Sequence, residues 1–123
     1  MNNIPSPPIW IKEKGKDILY TDYRLLPQTQ VIRQFKDAIA MGNEKGGDLL
    51  VLSNFENVPL TNSIVEEMKL LGAEVTKNKE LKSALLGITG IKRFLLMVYR
   101  QFNKDQPLAF STHQEAIDYL VED

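Results

Sequence analysis

The sequence predicts an α/β fold with the element order ββαβαβαβα: an N-terminal β-hairpin, then alternating α/β units that build a mostly parallel sheet covered by helices. Three observations predict it. Two β-rich runs flank a glycine turn near the N-terminus; two short unbroken apolar runs lie between turn residues; the segments between them space their apolar residues at helical intervals. The 123 residues, 43% hydrophobic and 25% charged, suit one domain with a single core. That domain is expected over residues 9–123, after an extended proline-containing arm at 1–8.

Ile9-Trp10-Ile11 and Ile18 to Tyr23, around Lys14-Gly15-Lys16, read as the hairpin. From Gln30 the period changes: Val31, Ile32, Phe35, Ala38 and Ile39 share one helix face, with Gly42, Gly46 and Gly47 as its expected stop. Asp48 to Leu52 is apolar after its first residue, as in a central strand covered on both faces. A loop from Ser53 to Leu60 leads to a second helix with Ile64, Val65, Met68, Leu71 and Val75 on its inner stripe. Gly72 falls on the same stripe, where it lets helix and sheet backbones approach closely. After polar Lys77-Asn78-Lys79-Glu80, Ser83 to Ile88 reads as another buried strand. A helix from about Ile91 to Phe102 follows, with Ile91, Phe94, Leu95, Val98 and Phe102 expected in the core. Leu108-Ala109-Phe110 is the last strand, and Thr112-His113-Gln114-Glu115 is a capping box opening the last helix, to Val121.

Composition limits the function classes. A formal charge of −1 gives no global field to concentrate the chain on nucleic acid or an anionic bilayer, so nucleic acid is not an expected partner. Without cysteine there is no disulfide, thiolate nucleophile or Cys-ligated zinc, which agrees with a reducing compartment. No apolar run approaches the roughly 20 residues of a transmembrane segment. The N-terminus lacks the basic-then-apolar pattern of a secretory signal, so a cytoplasmic location is expected.

The most distinctive stretch is Gly87-Ile88-Thr89-Gly90-Ile91-Lys92-Arg93, preceded by Ala84-Leu85-Leu86 and followed by an apolar helix. Together with the element order and the loop Asn54 to Pro59 leading into Thr61-Asn62-Ser63, it resembles the SpoIIAA-like superfamily over residues 9 to 122. That superfamily includes the STAS anti-sigma-factor antagonists and many small uncharacterised bacterial proteins. For the regulatory members, the resemblance implies a serine at the start of the helix after the central strand, phosphorylated by a partner kinase within an Asp-Ser-Ser-Gly pattern. Ser63 stands roughly in that place, but without the acidic residue or the glycine. The uncharacterised bacterial branch is therefore the closer match.

Several residues remain as candidates for chemistry. Thr89, Gly90, Lys92 and Arg93 form a candidate anion or partner contact, because N–H groups at a helix start attract anions and two cations sit in the first turn. The alternative is a structural turn with solvated cations. The spacing is neither a P-loop nor a dinucleotide fingerprint. Leu96 and Met97 fall outside the expected core stripe, beside Lys92, Arg93 and Arg100, and are a candidate apolar interface for another chain, a lipid or an acyl ligand; the alternative is that a neighbouring helix or the arm covers them. Asp22, Glu56, Ser63 and the one histidine, His113, are expected at the C-terminal ends of the strands, where such sheets gather ligands. No cofactor or metal site is expected, since no His pair or carboxylate cluster has ligand spacing.

Two functions follow. One is a non-catalytic protein-interaction or regulatory module of STAS-like type, binding a protein partner or itself as a homodimer. The other is a small-molecule or lipid-binding protein for an apolar or anionic ligand held at the strand ends, because the fold also resembles that of the CRAL-TRIO lipid carriers. An enzyme is not expected.

Overall fold

A computed structural model describes residues 7–45, 47–75, 80–102 and 107–122. Within them the order is β1 (Ile9–Glu13), β2 (Lys16–Asp22), α1 (Gln28–Lys45), β3 (Leu49–Asn54), α2 (Asn62–Val75), β4 (Leu81–Leu86), α3 (Ile91–Phe102), β5 (Leu108–Phe110) and α4 (His113–Val121). Residues 1–6 of the expected arm, Gly46 and the polar stretch 77–79 lie outside the described residues. Pro8, the end of that arm, is buried.

The strands lie in the order β1-β2-β3-β4-β5, with β1 antiparallel to β2 and every later pair parallel. The turn between β1 and β2 is Lys14-Gly15, both at positive φ (50° and 77°). That is the primed geometry whose twist matches a two-residue hairpin. β3 pairs on both sides, Leu52 opposite Tyr20 in one neighbour and Ala84 in the other, so the apolar run Leu49–Leu52 is central as its composition predicts.

Because the strand order never reverses, crossovers of one hand place α1, α2 and α3 together on one face and leave α4 alone on the other. Alternation along each strand divides the core accordingly. Ile18, Leu52, Ala84 and Leu86 meet Ala116, Ile117, Leu120 and Val121 of α4. On the opposite face Tyr23, Phe55 and Leu85 meet Val31 of α1, Ile64 and Met68 of α2, and Ile88. α4 comes close to β3, β4 and β5, whereas α2 makes its main backbone approaches to α1 and α3.

Local signals explain the helix ends. The Thr112 hydroxyl accepts from the Glu115 N–H at 3.1 Å and donates to the Glu115 carboxylate at 3.0 Å, which is the predicted cap of α4. Thr61 caps α2 in the same manner, accepting from the Ile64 N–H at 3.2 Å.

Three sequence expectations need correction. Gly42 lies inside α1, and its role is space: a Cβ there would come within 2.7 Å of Leu49 Cδ2. Gly72 makes room for the Tyr99 hydroxyl of α3, not for the sheet backbone. The inward stripe of α3 is also rotated. Leu95 is buried and Leu96 half-buried against the core, but Ile91 and Phe94 are 70% and 56% exposed. The side turned toward the sheet carries Lys92, bonded to the Phe55 carbonyl, and Tyr99, seated over Gly72.

Candidate functional site

The layer formed by α1, α2 and α3 does not close completely on the sheet. Between them lies a cavity of about 110 Å³, extending from Leu49 and Leu81 at the starts of β3 and β4 to Phe55, Ile88 and Lys92 beyond their ends. Strand alternation aims Leu49, Val51 and Ser53 of β3 and Leu81, Ser83 and Leu85 of β4 at it. The roof comes from the helices, including Phe35, Met68, Leu95, Leu96 and Tyr99. The wall is largely apolar, with Ser53, Ser83, Tyr23, Tyr99 and Lys92 carrying its side-chain polar groups.

The two serines are each 8% exposed. Val51 pairs with Ser83 and Ser53 with Leu85, so the hydroxyl-bearing residues sit diagonally across the β3–β4 ladder. Tyr23 is 1% exposed and its ring stacks on Phe55, with centroids 4.3 Å apart and planes 7° from parallel. Burial first, and Tyr99 beside it second, push the Tyr23 phenol far above its ordinary range, so it stays neutral and protonated. Tyr99 enters from α3 over Gly72, where any Cβ would overlap its hydroxyl.

The Gly87 to Arg93 segment forms the end of this chamber. Gly87 has φ of 82°, and a Cβ on it would collide with the Phe55–Glu56 backbone, so both conformation and space require glycine there. The close approach is held by the Phe55 N–H donating to the Leu86 carbonyl at 2.9 Å. Lys92 reaches across from α3 and donates its Nζ to the Phe55 carbonyl at 2.9 Å. It is half-buried, and burial pushes its ammonium below the usual lysine range. Among the described residues no carboxylate pairs with it.

The candidates from the sequence are therefore distributed over different surfaces. Lys92 points to the cavity, while Thr89, Gly90 and Arg93 are exposed on the rim. Leu96 packs inward on the cavity wall and Met97 is 50% exposed, on an outer face it shares with Ile91 and Phe94. Arg100 donates to the Pro107 carbonyl through Nε at 2.7 Å and also through Nη2, tying α3 to the approach to β5. Ser63 is exposed in the first turn of α2, its hydroxyl 3.1 Å from that of Thr61.

Asp22, Glu56, Ser63 and His113 are not joined by hydrogen bonds among the described residues. Asp22 is committed to Arg24, accepting from its Nη2 at 2.9 Å and from its backbone N–H at 3.0 Å. Burial alone would raise the Asp22 carboxyl, but the hydrogen bonds and charge of Arg24 outweigh it and hold the group below its ordinary value. His113 is exposed beside Tyr20, with ring centroids 6.1 Å apart. Asn54 accepts from the Glu56 N–H at 3.0 Å and donates to the Tyr20 hydroxyl at 3.3 Å, so it organises its loop. No group of three or more His, Cys, Asp or Glu side chains is placed to hold a metal among the described residues. Nor is any described helix long and apolar enough to cross a membrane.

Sequence reasoning missed Ser53, Ser83, Tyr23 and Tyr99 as one constellation. A signal was present: Ser53 and Ser83 are small polar residues in otherwise apolar buried runs, and alternation puts both on the helix-layer face. What could not be read was that the helices stand off from them. No family model, curated protein or solved structure matches this chain.

Proposed function

We propose that the protein is a non-catalytic module that binds a small, mainly apolar ligand between its sheet and its three-helix layer. The observation that carries this reading is the apolar cavity of about 110 Å³. A gap between packed layers forfeits contacts, and an apolar ligand seated in it restores them. Its size sets a bound: an engineered cavity of about 150 Å³ holds benzene, so this one suits an apolar body of about four to six carbons. The few polar groups on an apolar wall are the arrangement that orients such a ligand.

Filling the void tests the reading. Ser83→Leu should raise the melting temperature and abolish saturation-transfer NMR signals from small probes such as 1-pentanol, which the parent protein should show. A parent protein silent to such probes would refute the reading.

A second reading, an interaction or regulatory module of SpoIIAA-like (STAS-like) type, is favoured by the outer face of α3, where Ile91, Phe94 and Met97 are 70%, 56% and 50% exposed. The ββαβαβαβα order and the Gly87–Gly90 turn are the features that support kinship with that superfamily. On this reading Phe94→Glu with Met97→Glu converts a self-associated or partner-bound protein into a folded monomer, measured by sedimentation velocity. An unchanged sedimentation coefficient counts against it.

A further inference from the structure

We propose that the cavity's ligand is a small monocarboxylate whose head group is held by Lys92 and whose apolar body lies along β3 and β4. This rests on the cavity being a binding site and assigns the chemistry of its occupant. Lys92 lines the cavity at the end near Phe55 and Ile88, while Leu49 and Leu81 line the opposite end. The chamber thus has a cationic end and a hydrocarbon end.

An ammonium has three N–H donors, and the Phe55 carbonyl takes one, at 2.9 Å. A neutral carbonyl does not neutralise the charge. Among the described residues no carboxylate does so, and the charged form is disfavoured by burial with no opposing attraction. A half-buried cation with spare donors on an apolar wall is the complement of an anion that brings its own apolar surface. One cation matches one negative charge. A phosphate dianion would carry a second charge into a low-dielectric chamber with nothing to balance it. Arg93, the neighbouring cation, is exposed on the rim and does not line the cavity.

The anchoring of Lys92 also gives the head group a defined position. The Phe55 carbonyl fixes Nζ against the β3–α2 loop, and that loop is locked to the end of β4 by the Phe55 N–H bond to Leu86 and by the close backbone contact at Gly87. Pre-organisation of this kind lowers the entropic cost of binding.

The test is an NMR titration at neutral pH of the parent protein, Lys92→Met and Lys92→Arg with three probes: pentanoate, 1-pentanol and inorganic phosphate. The parent should bind pentanoate about tenfold or more tightly than 1-pentanol, as expected for a hydrogen bond between charged groups. Lys92→Met should abolish the preference for pentanoate over 1-pentanol, and Lys92→Arg should restore part of it. Equal affinities in the parent protein would overturn the carboxylate assignment yet leave the cavity as a binding site, and this comparison requires no variant to fold. A preference that survives Lys92→Met would also overturn it, as would phosphate displacing pentanoate at equal concentration. Failure of both pentanoate and 1-pentanol to bind would remove the cavity reading and this inference together.

Discussion

The two faces of the sheet are built from the same strands yet packed in opposite ways. On the α4 face, Ala84 and Ala116 are both 0% exposed, and these small side chains let the helix settle onto the sheet with Leu52 and Leu120 filling the seam. On the other face the roof is made of large residues, Phe35, Met68 and Tyr99, and the strands answer with Ser53 and Ser83. Bulk above and small polar groups below leave a chamber. The α4 face is thus filled, and the helix-layer face carries the cavity.

The largest expected contrast comes from truncating each face. Leu120→Ala, in the filled seam, should cost about 3–5 kcal/mol of unfolding free energy in urea, since its neighbours cannot collapse into the gap. Leu96→Ala, on the wall of an existing void, removes fewer contacts and should cost about 1–2 kcal/mol. Equal costs would erase the distinction between the faces.

Gly87→Ala comes next. The positive φ of 82° and the collision with the Phe55–Glu56 backbone should together cost more than about 1 kcal/mol. The same change should shift the amide resonances of residues 55 and 56, and a neutral result would dissolve the proposed lock at the cationic end. Thr21→Val should act in the opposite direction. The Thr21 hydroxyl is buried on the helix-layer face without a hydrogen-bond partner among the described residues. Its removal should stabilise the fold by about 1 kcal/mol, measured by thermal unfolding.

The smallest effect is electrostatic and lies at the rim. Asp22 has its pKa depressed in the folded protein, so its bond to Arg24 contributes stability above the unfolded value of 3.8, lost as pH falls through the lower folded value. Arg24 is about half exposed, which screens the pair and limits the gain to below about 1 kcal/mol. Asp22→Asn should remove that part of the pH dependence of the melting temperature, and an unaltered profile would assign it elsewhere.

How much of this the sequence discloses depends on which face is considered. The element order is legible because the apolar period changes from strand to helix at each boundary, and the Thr112 cap is legible because Glu115 stands three residues on. The phase of α3 is not. Periodicity favours one side strongly, the stripe of Ile91, Phe94, Leu95 and Val98, yet the structure turns Ile91 and Phe94 of that stripe outward. The inner side carries contacts distant in sequence: Lys92 with Phe55, and Tyr99 with Gly72. The cavity is invisible for the same reason, being a property of how far the helices stand from the strands and not of any segment.

A methyl-resolved NMR titration of the intact protein with pentanoate distinguishes the two faces. A ligand held in the cavity should shift Val51, Leu85, Leu95 and Leu96 around it, with Leu52, Ile117 and Leu120 on the α4 face unmoved. Equal perturbation of both faces, or none at either, would contradict binding in the cavity.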